Sequence, residues 1–324
     1  YLKNIGLRLL PALSLGIIIY FTPYITFINA IYANNPHEIA RLESELGYMS
    51  KPKDQKESII FVSNRNGNSD IFEINADGSF LRPLIEKEGN QWSPRIDNSS
   101  NLLYFLSDHE SVQALYSYSF DNEEIKKVKE FIFDDFYFQI KGGNGIIYHD
   151  TIDGLYQIFT YNFEDKKRTQ ITFDSSNNSK PFPNSETSAF YFQSDRFGNS
   201  DIFKGYTNSR QIERISIFKS EERNPVLSPY NDVLVFHSNM NERDNYDLYY
   251  YVLSSKEIGR LTTSPAMELV ASFKSNAKDL VFGSNADGNW EIYLMSNKGE
   301  FKDRLTNHPS FDGDAIWYKR PKNK

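Results

Sequence analysis

The sequence predicts an all-β protein: a six-bladed β-propeller of four-stranded blades. Three observations carry that expectation. The stretch SNRNGNSDIFEINADGS (63–79) reads as strand, turn, strand, turn, and it returns as SDRFGNSDIF (194–203) and SNADGNWEIYLMSNKGE (284–300). Weaker copies lie at 107–124, 149–167 and 238–257. The apolar residue before the aromatic in each copy falls at Ile71, Leu115, Ile158, Ile202, Leu248 and Ile292, spaced 43 to 46 residues apart. Six copies at that period, each with room for three or four short strands, match the sequence pattern of a propeller. Aromatic residues make up 15% of the chain, which suits strands buried between blades.

Residues 1–33 are expected to be a signal peptide or membrane anchor. Lys3 and Arg8 precede an apolar run, and no Lys, Arg, Asp or Glu occurs from Leu9 to Pro36. A basic start followed by an apolar run is the layout of an export signal. The run, residues 9–33, is also long enough to span a bilayer, so membrane anchoring through it is the second reading and a buried core helix the third. Cleavage after Ala30 or Ala33 fits the first reading. Both membrane-linked readings place the rest of the chain outside the cytoplasm, in the periplasm or beyond.

Residues 34–56 read as a linker with a short amphipathic helix. Asn35 suits an N-cap, Pro36 the first helical position, and Ile39, Leu42 and Leu46 follow on one face up to Gly47. So short a helix needs a surface to pack on, or serves as a partner-binding arm.

The propeller itself is expected over residues 57–320, with a basic tail at 321–324. Asn-Gly and Asp-Gly pairs at Asn66-Gly67 and Asp77-Gly78 suit two-residue hairpin turns. Second strands such as Ile59-Ile60-Phe61-Val62 are apolar on both faces, as expected when neighbouring blades cover both. The third repeat uses Gly142-Gly143 for its first turn. The first repeat starts directly on a second strand, and the last has one strand too many. Ala315-Ile316-Trp317 aligns with the inner strands at Pro94-Arg95-Ile96 and Pro225-Val226-Leu227. The C-terminal strand should therefore complete the first blade and close the ring, which removes open sheet edges.

The repeat pattern, with its S-P-x-[GN] turn, F-x-S end of the second strand and R-x-G-N-x-[DE]-I-[FY] start of the third, resembles the TolB-type propeller repeat. The resemblance covers residues 57–320. The family includes the periplasmic propeller of the Tol-Pal envelope system, so it implies a six-bladed ring, an envelope location and a protein partner. TolB carries an α/β domain ahead of its propeller, and residues 34–56 are too few to hold one.

Composition narrows the function. The chain has no cysteine, which excludes disulfides, thiolate metal sites and cysteine nucleophiles. Net charge is −7, and Lys3 and Arg8 lie in the N-terminal segment, so the propeller is more acidic still. An acidic body argues against nucleic acid as a partner. None of the five histidines falls at zinc spacing, and His149 and His237 read as packing residues on second strands. No G-x-S-x-G nucleophile elbow occurs. The Asn/Asp-rich turns superficially resemble calcium loops but are flanked by strands, not helices. Arg65 and Arg196, five residues before Asp70 and Asp201 respectively, read as their partners in within-blade ion pairs. Lys126, Lys127, Lys166, Lys167 and Arg168 read as solvated outer turns.

One repeat position stands out. Gln91, Asp134, Asn178, Glu222, Glu268 and Asp312 precede the inner-strand proline position by three residues in every repeat. Equivalent inner-strand positions share one end of the axial channel, so four carboxylates and two amides should gather near one mouth. Such a rim would suit a Lys- or Arg-bearing peptide or Ca²⁺. The other reading is that each side chain ties down its own loop. The expected function is that of a monomeric, non-enzymatic binding or scaffold protein of the cell envelope, needing no cofactor. The alternative is a carbohydrate-active lyase or hydrolase whose rim carboxylates act as acid and base.

Overall fold

The computed structural model describes residues 57–97, 100–130, 136–139, 145–242 and 245–320. The segment 1–33, the linker 34–56, the tail 321–324, Asp134 and the Gly142-Gly143 turn lie outside them. Among the described residues there are 24 strands and no helix. In chain order they are β1 (Glu57–Ser63), β2 (Asp70–Asn75) and β3 (Arg82–Ile85) of blade 1, then β4 (Gln91–Asp97), β5 (Leu102–Ser107), β6 (Ala114–Ser119) and β7 (Ile125–Glu130) of blade 2. Blade 3 holds β8 (Phe136–Gln139), β9 (Gly145–Ile152), β10 (Leu155–Asn162) and β11 (Arg168–Gln170). Blade 4 holds β12 (Asn178–Pro183), β13 (Ala189–Ser194), β14 (Asp201–Tyr206) and β15 (Ile212–Arg214). Blade 5 holds β16 (Glu222–Leu227), β17 (Val233–Glu242), β18 (Asn245–Val252) and β19 (Ile258–Arg260). Blade 6 holds β20 (Glu268–Phe273), β21 (Asp279–Ser284), β22 (Glu291–Ser296) and β23 (Phe301–Arg304), and β24 (Asp312–Lys319) ends the described chain.

Each sheet is a four-stranded antiparallel blade, and β24 joins blade 1 in the order β24-β1-β2-β3. Ile59 opposes Trp317 and Ile60 opposes Ile316. Ring closure by the C-terminal strand is thus observed.

The two-faced apolar strands are explained by six clusters, one at each blade interface. Ile59, Phe61 and Phe72 of blade 1 pack on Val281, Ile292 and Leu294 of blade 6. Ile60 and Ile71, one residue out of step, pack on Leu103, Phe105 and Tyr116 of blade 2. Successive strand residues point to opposite faces, so a blade between two neighbours needs apolar residues at every position. Tyr191 and Ile202 meet Leu234, Phe236 and Tyr249 at the blade 4/5 interface by the same rule.

Two sequence expectations need correction. Ser63 opposes Asp70, so the turn around Asn66-Gly67 runs from Asn64 to Ser69 rather than over two residues. Gly67, at φ +106°, still supplies the left-handed step, and its N–H donates to Asn64 O at 3.1 Å. The longer turn leaves Asn68 free to reach the neighbouring loop. Lys126 and Lys127 lie on the outer strand β7, not in a turn. Lys127 bonds Glu110 and Glu130 there, which charges an otherwise open edge.

Candidate functional site

Inner strands start at one face of the ring, here the upper face, and end at the lower face. Just past its start, the inner strand of five blades carries a bulge. Register slips between Trp92 and Arg95, Ser179 and Phe182, Arg223 and Val226, and Leu269 and Ser272, and in β24 opposite Ile60 and Val62. Ser93, Lys180, Asn224 and Asp314 sit at these slips with φ between +49° and +52°. A bulge bends its strand and re-aims the side chains that follow. Here it separates a buried polar upper end from an open lower end.

At the upper end, Gln91, Asn178, Glu222, Glu268 and Asp312 each begin an inner strand, as the spacing implies. All five are buried. Among the described residues no three acidic or histidine side chains converge to hold a metal ion. Each is held locally. Gln91 donates to Gly89 O (3.3 Å) and Ser107 Oγ (3.4 Å). Asn178 donates to Asp174 Oδ1 (3.1 Å) and accepts from Arg196 Nη2 (2.8 Å). Glu222 accepts from Ser238 Oγ (3.0 Å) and from Ser220, and Glu268 from Ser284 Oγ (3.2 Å) and from Ser264. The second carboxylate oxygens of Glu222 and Glu268 are buried without a hydrogen bond.

The more informative grouping crosses the blade interfaces. A polar residue near the start of a third strand faces the inner-strand start of the next blade. Gln157 and Asn178 bond directly at 3.3 Å. Asp201 lies near Glu222, Asp247 near Glu268, and Glu291 near Asp312, each close enough to perturb its neighbour. Arg214, Arg260 and Arg304 donate to the third-strand member of these pairs at 2.7, 2.7 and 3.2 Å. Burial, with the nearby Asp201 charge, pushes the Glu222 carboxyl up to about 7. Burial also raises Glu268 and Asp312. Glu222 is thus about half protonated near neutral pH. On the adjacent β17, burial pushes the His237 imidazole down to about 3, aided by Arg223 and Lys180, so it is neutral there.

The Arg-x-Gly-Asn motif now has a mechanical reading. Arg65 does not pair with Asp70. It grips Asp312 on the closing strand through both carboxylate oxygens, at 3.0 and 2.8 Å, and bonds Ser63 Oγ at 2.8 Å. Arg196 likewise reaches Asn178 and Asp174 rather than Asp201. Asn199 donates to Phe218 O (3.3 Å) and Ser220 O (2.6 Å), stitching its turn to the loop that enters the next blade. Asn289 does the same with His308 O and Ser310 O. The recurring Asn two residues before the third-strand acid (Asn68, Asn199, Asn245, Asn289) is part of the repeat motif, and its role in holding the next loop emerges only in the fold.

Arg65→Ala is expected to cost about 3 kcal/mol, because removing one partner strands a buried carboxylate. Adding Asp312→Asn should recover part of the loss, since the stranded charge is then gone. Denaturant titration of the three proteins checks this. A single-variant cost below about 1 kcal/mol, the range of an exposed pair, would show the grip to be a surface contact.

The lower end is open. An axial cavity of about 370 Å³ is lined by inner-strand residues of all six blades. None of the spacing-predicted residues Gln91, Asn178, Glu222, Glu268 and Asp312 lines it. Arg95 crosses three blades there. It donates to Asp314 Oδ1 of blade 1 at 3.2 Å and to Phe136 O of blade 3 at 3.1 Å, and it stacks over Tyr137 at 4.5 Å. Lys274 pairs with Glu57 at 2.7 Å and lies 4.9 Å from the Trp317 ring centre. The Trp317 indole N–H is buried without an acceptor.

No model of a known protein family matches the sequence, and no curated protein matches it. Solved structures do. TolB from Acinetobacter baumannii superposes with a TM-score of 0.70 at 16% identity, covering 84% of this chain and 69% of that one. A protein assigned as TolB from Agrobacterium tumefaciens gives 0.61 at 16% identity, over 82% of this chain and 98% of the other. Hydrazine synthase from Kuenenia stuttgartiensis gives 0.64 at 12% identity over 86% of this chain, which spans about half (49%) of that one. At these identities the likeness is one of fold, and the fold is that of a TolB-like six-bladed β-propeller.

Proposed function

We propose that this chain is an extracytoplasmic, non-enzymatic binding protein of the cell envelope. It acts as a monomer and engages a protein or peptide partner at the lower face of the ring. The observation that carries the reading is the chemistry of the axial cavity. Trp317, Tyr137, Phe182 and Phe273 give it apolar anchoring surface, with Ser and Asn side chains among them. Rigid aromatic side chains with a few placed polar groups are the usual composition of a recognition surface. Its two lining carboxylates, Glu57 and Asp314, each hold a cation, so neither is poised as a general acid or base. The TolB-like fold and the export-signal layout of residues 1–33 support the location, and residues 9–33 supply a means of membrane attachment.

The test is capture from envelope extract followed by reconstitution with the purified captured protein. The Tyr137→Ala/Trp317→Ala variant, checked for its unfolding transition, is compared with the parent. Losing two aromatic anchors should weaken the reconstituted complex roughly thirtyfold. Equal binding by both would remove the axial cavity from the interface.

A further inference from the structure

A second cavity, of about 460 Å³, lies on the lower face between blades 5 and 6. It meets the axial cavity at Ser228 and Phe273, which line both. The two therefore form one track from the ring axis toward the rim. Its lining is apolar along Val233, Val235 and Val252, and Tyr230 stands 67% exposed at its edge.

Charge sets this groove apart. Lys278 and Lys298 are exposed in its lining, and among the described residues neither ammonium has a carboxylate partner. The one carboxylate in the lining, Asp232, accepts a hydrogen bond from Ser228 Oγ at 2.6 Å. A local excess of positive charge is unusual on a chain of net charge −7. Complementary charge steers a partner and fixes its register more than it adds affinity.

We propose that the groove between blades 5 and 6 takes an extended acidic peptide segment, continuous with the partner residues that seat in the axial cavity. The proposal rests on the binding reading above and adds the partner's chemistry. An extended chain presents side chains alternately, so apolar residues can lie on the valines while acidic ones reach Lys278 and Lys298. A nucleic acid or sulfated polysaccharide would need a broader basic surface than two lysines.

A random dodecapeptide library selected on the full chain tests this. The expected result is enriched sequences with net negative charge. Their binding should fall about tenfold on Lys278→Glu/Lys298→Glu, and should weaken as salt rises. Both lysines are exposed, so the double variant should keep the parental unfolding transition. The proposal is overturned if the enriched peptides are neutral or basic, or if the double variant binds them equally. Displacement of the peptides by single-stranded oligonucleotide or dextran sulfate would overturn it in favour of a general polyanion surface. Peptides lost only to Tyr137→Ala/Trp317→Ala would sink the groove and leave the axial reading standing. No enrichment at all would sink both.

Discussion

A chain ending at Gly313 is expected to lose the cooperative unfolding transition of the full propeller. The deletion removes all of β24 beyond its first two residues. Tyr318, 2% exposed, leaves the blade 1/2 cluster, and Ala315 leaves the blade 1/6 cluster. Asp314 no longer holds Arg95, and Tyr318 Oη no longer donates to Asn101 at 3.0 Å. The apolar strand β1 becomes an open edge. Lost burial and ladder bonds together come to on the order of 10 kcal/mol. Whole domains are stable by only about 5–15 kcal/mol. The loss should therefore be global, because blade 1 is packed against blades 2 and 6. Calorimetry of the two chains decides the matter. A sharp transition near the parental temperature in the shorter chain would mean that closure is dispensable.

The closing strand was legible because it has the same residue pattern as other inner strands, and a repeat lets one copy report on another. The alignment of Ala315-Ile316-Trp317 gave the pairing seen with Ile60 and Ile59. The inner-strand bulges were not legible. Their left-handed residues are Ser93, Lys180, Asn224 and Asp314, not glycines, and are imposed by the bulge, not by local preference. The equivalence of Gln91, Asn178, Glu222, Glu268 and Asp312 was legible from spacing alone. Their grouping with the preceding blade's third strand was not, nor was the grip of Arg65 on Asp312, because both join residues that only the folded ring brings together. The axial cavity was missed for the same reason: Arg95, Tyr137 and Trp317 meet only once three blades are in place.

Stability should depend on pH through two neighbouring groups of blade 5 acting in opposite directions. Glu222 and Arg223 begin β16 opposite Ser238 and His237 of β17. His237 has Arg223 across the strand pair, Lys180 nearby and Tyr246 edge-on at 6.1 Å, and neither ring nitrogen has a hydrogen bond. Its pKa falls from 6.5 to about 3 on folding. The folded state then binds fewer protons than the unfolded chain, so this contribution is complete above about 6.5 and is lost as pH falls toward 3. At 1.4 kcal/mol per unit it is worth on the order of 5 kcal/mol. Glu222 runs the other way. Its pKa rises from 4.5 to about 7, so its neutral form favours folding below about 4.5, and that advantage is lost as pH climbs through 7. That term is about 3 kcal/mol. Between pH 4.5 and 6.5 the two slopes largely cancel in the parent chain. Relative to the parent, His237→Phe should therefore become less stable with rising pH across that window, and Glu222→Gln more stable. Denaturation midpoints measured from pH 4 to 8 for the three chains test the opposition, since no conformational account of either substitution alone produces slopes of opposite sign. Three parallel curves would mean that water or local opening already solvates this corner of blade 5, and that neither group is as dry as its packing implies.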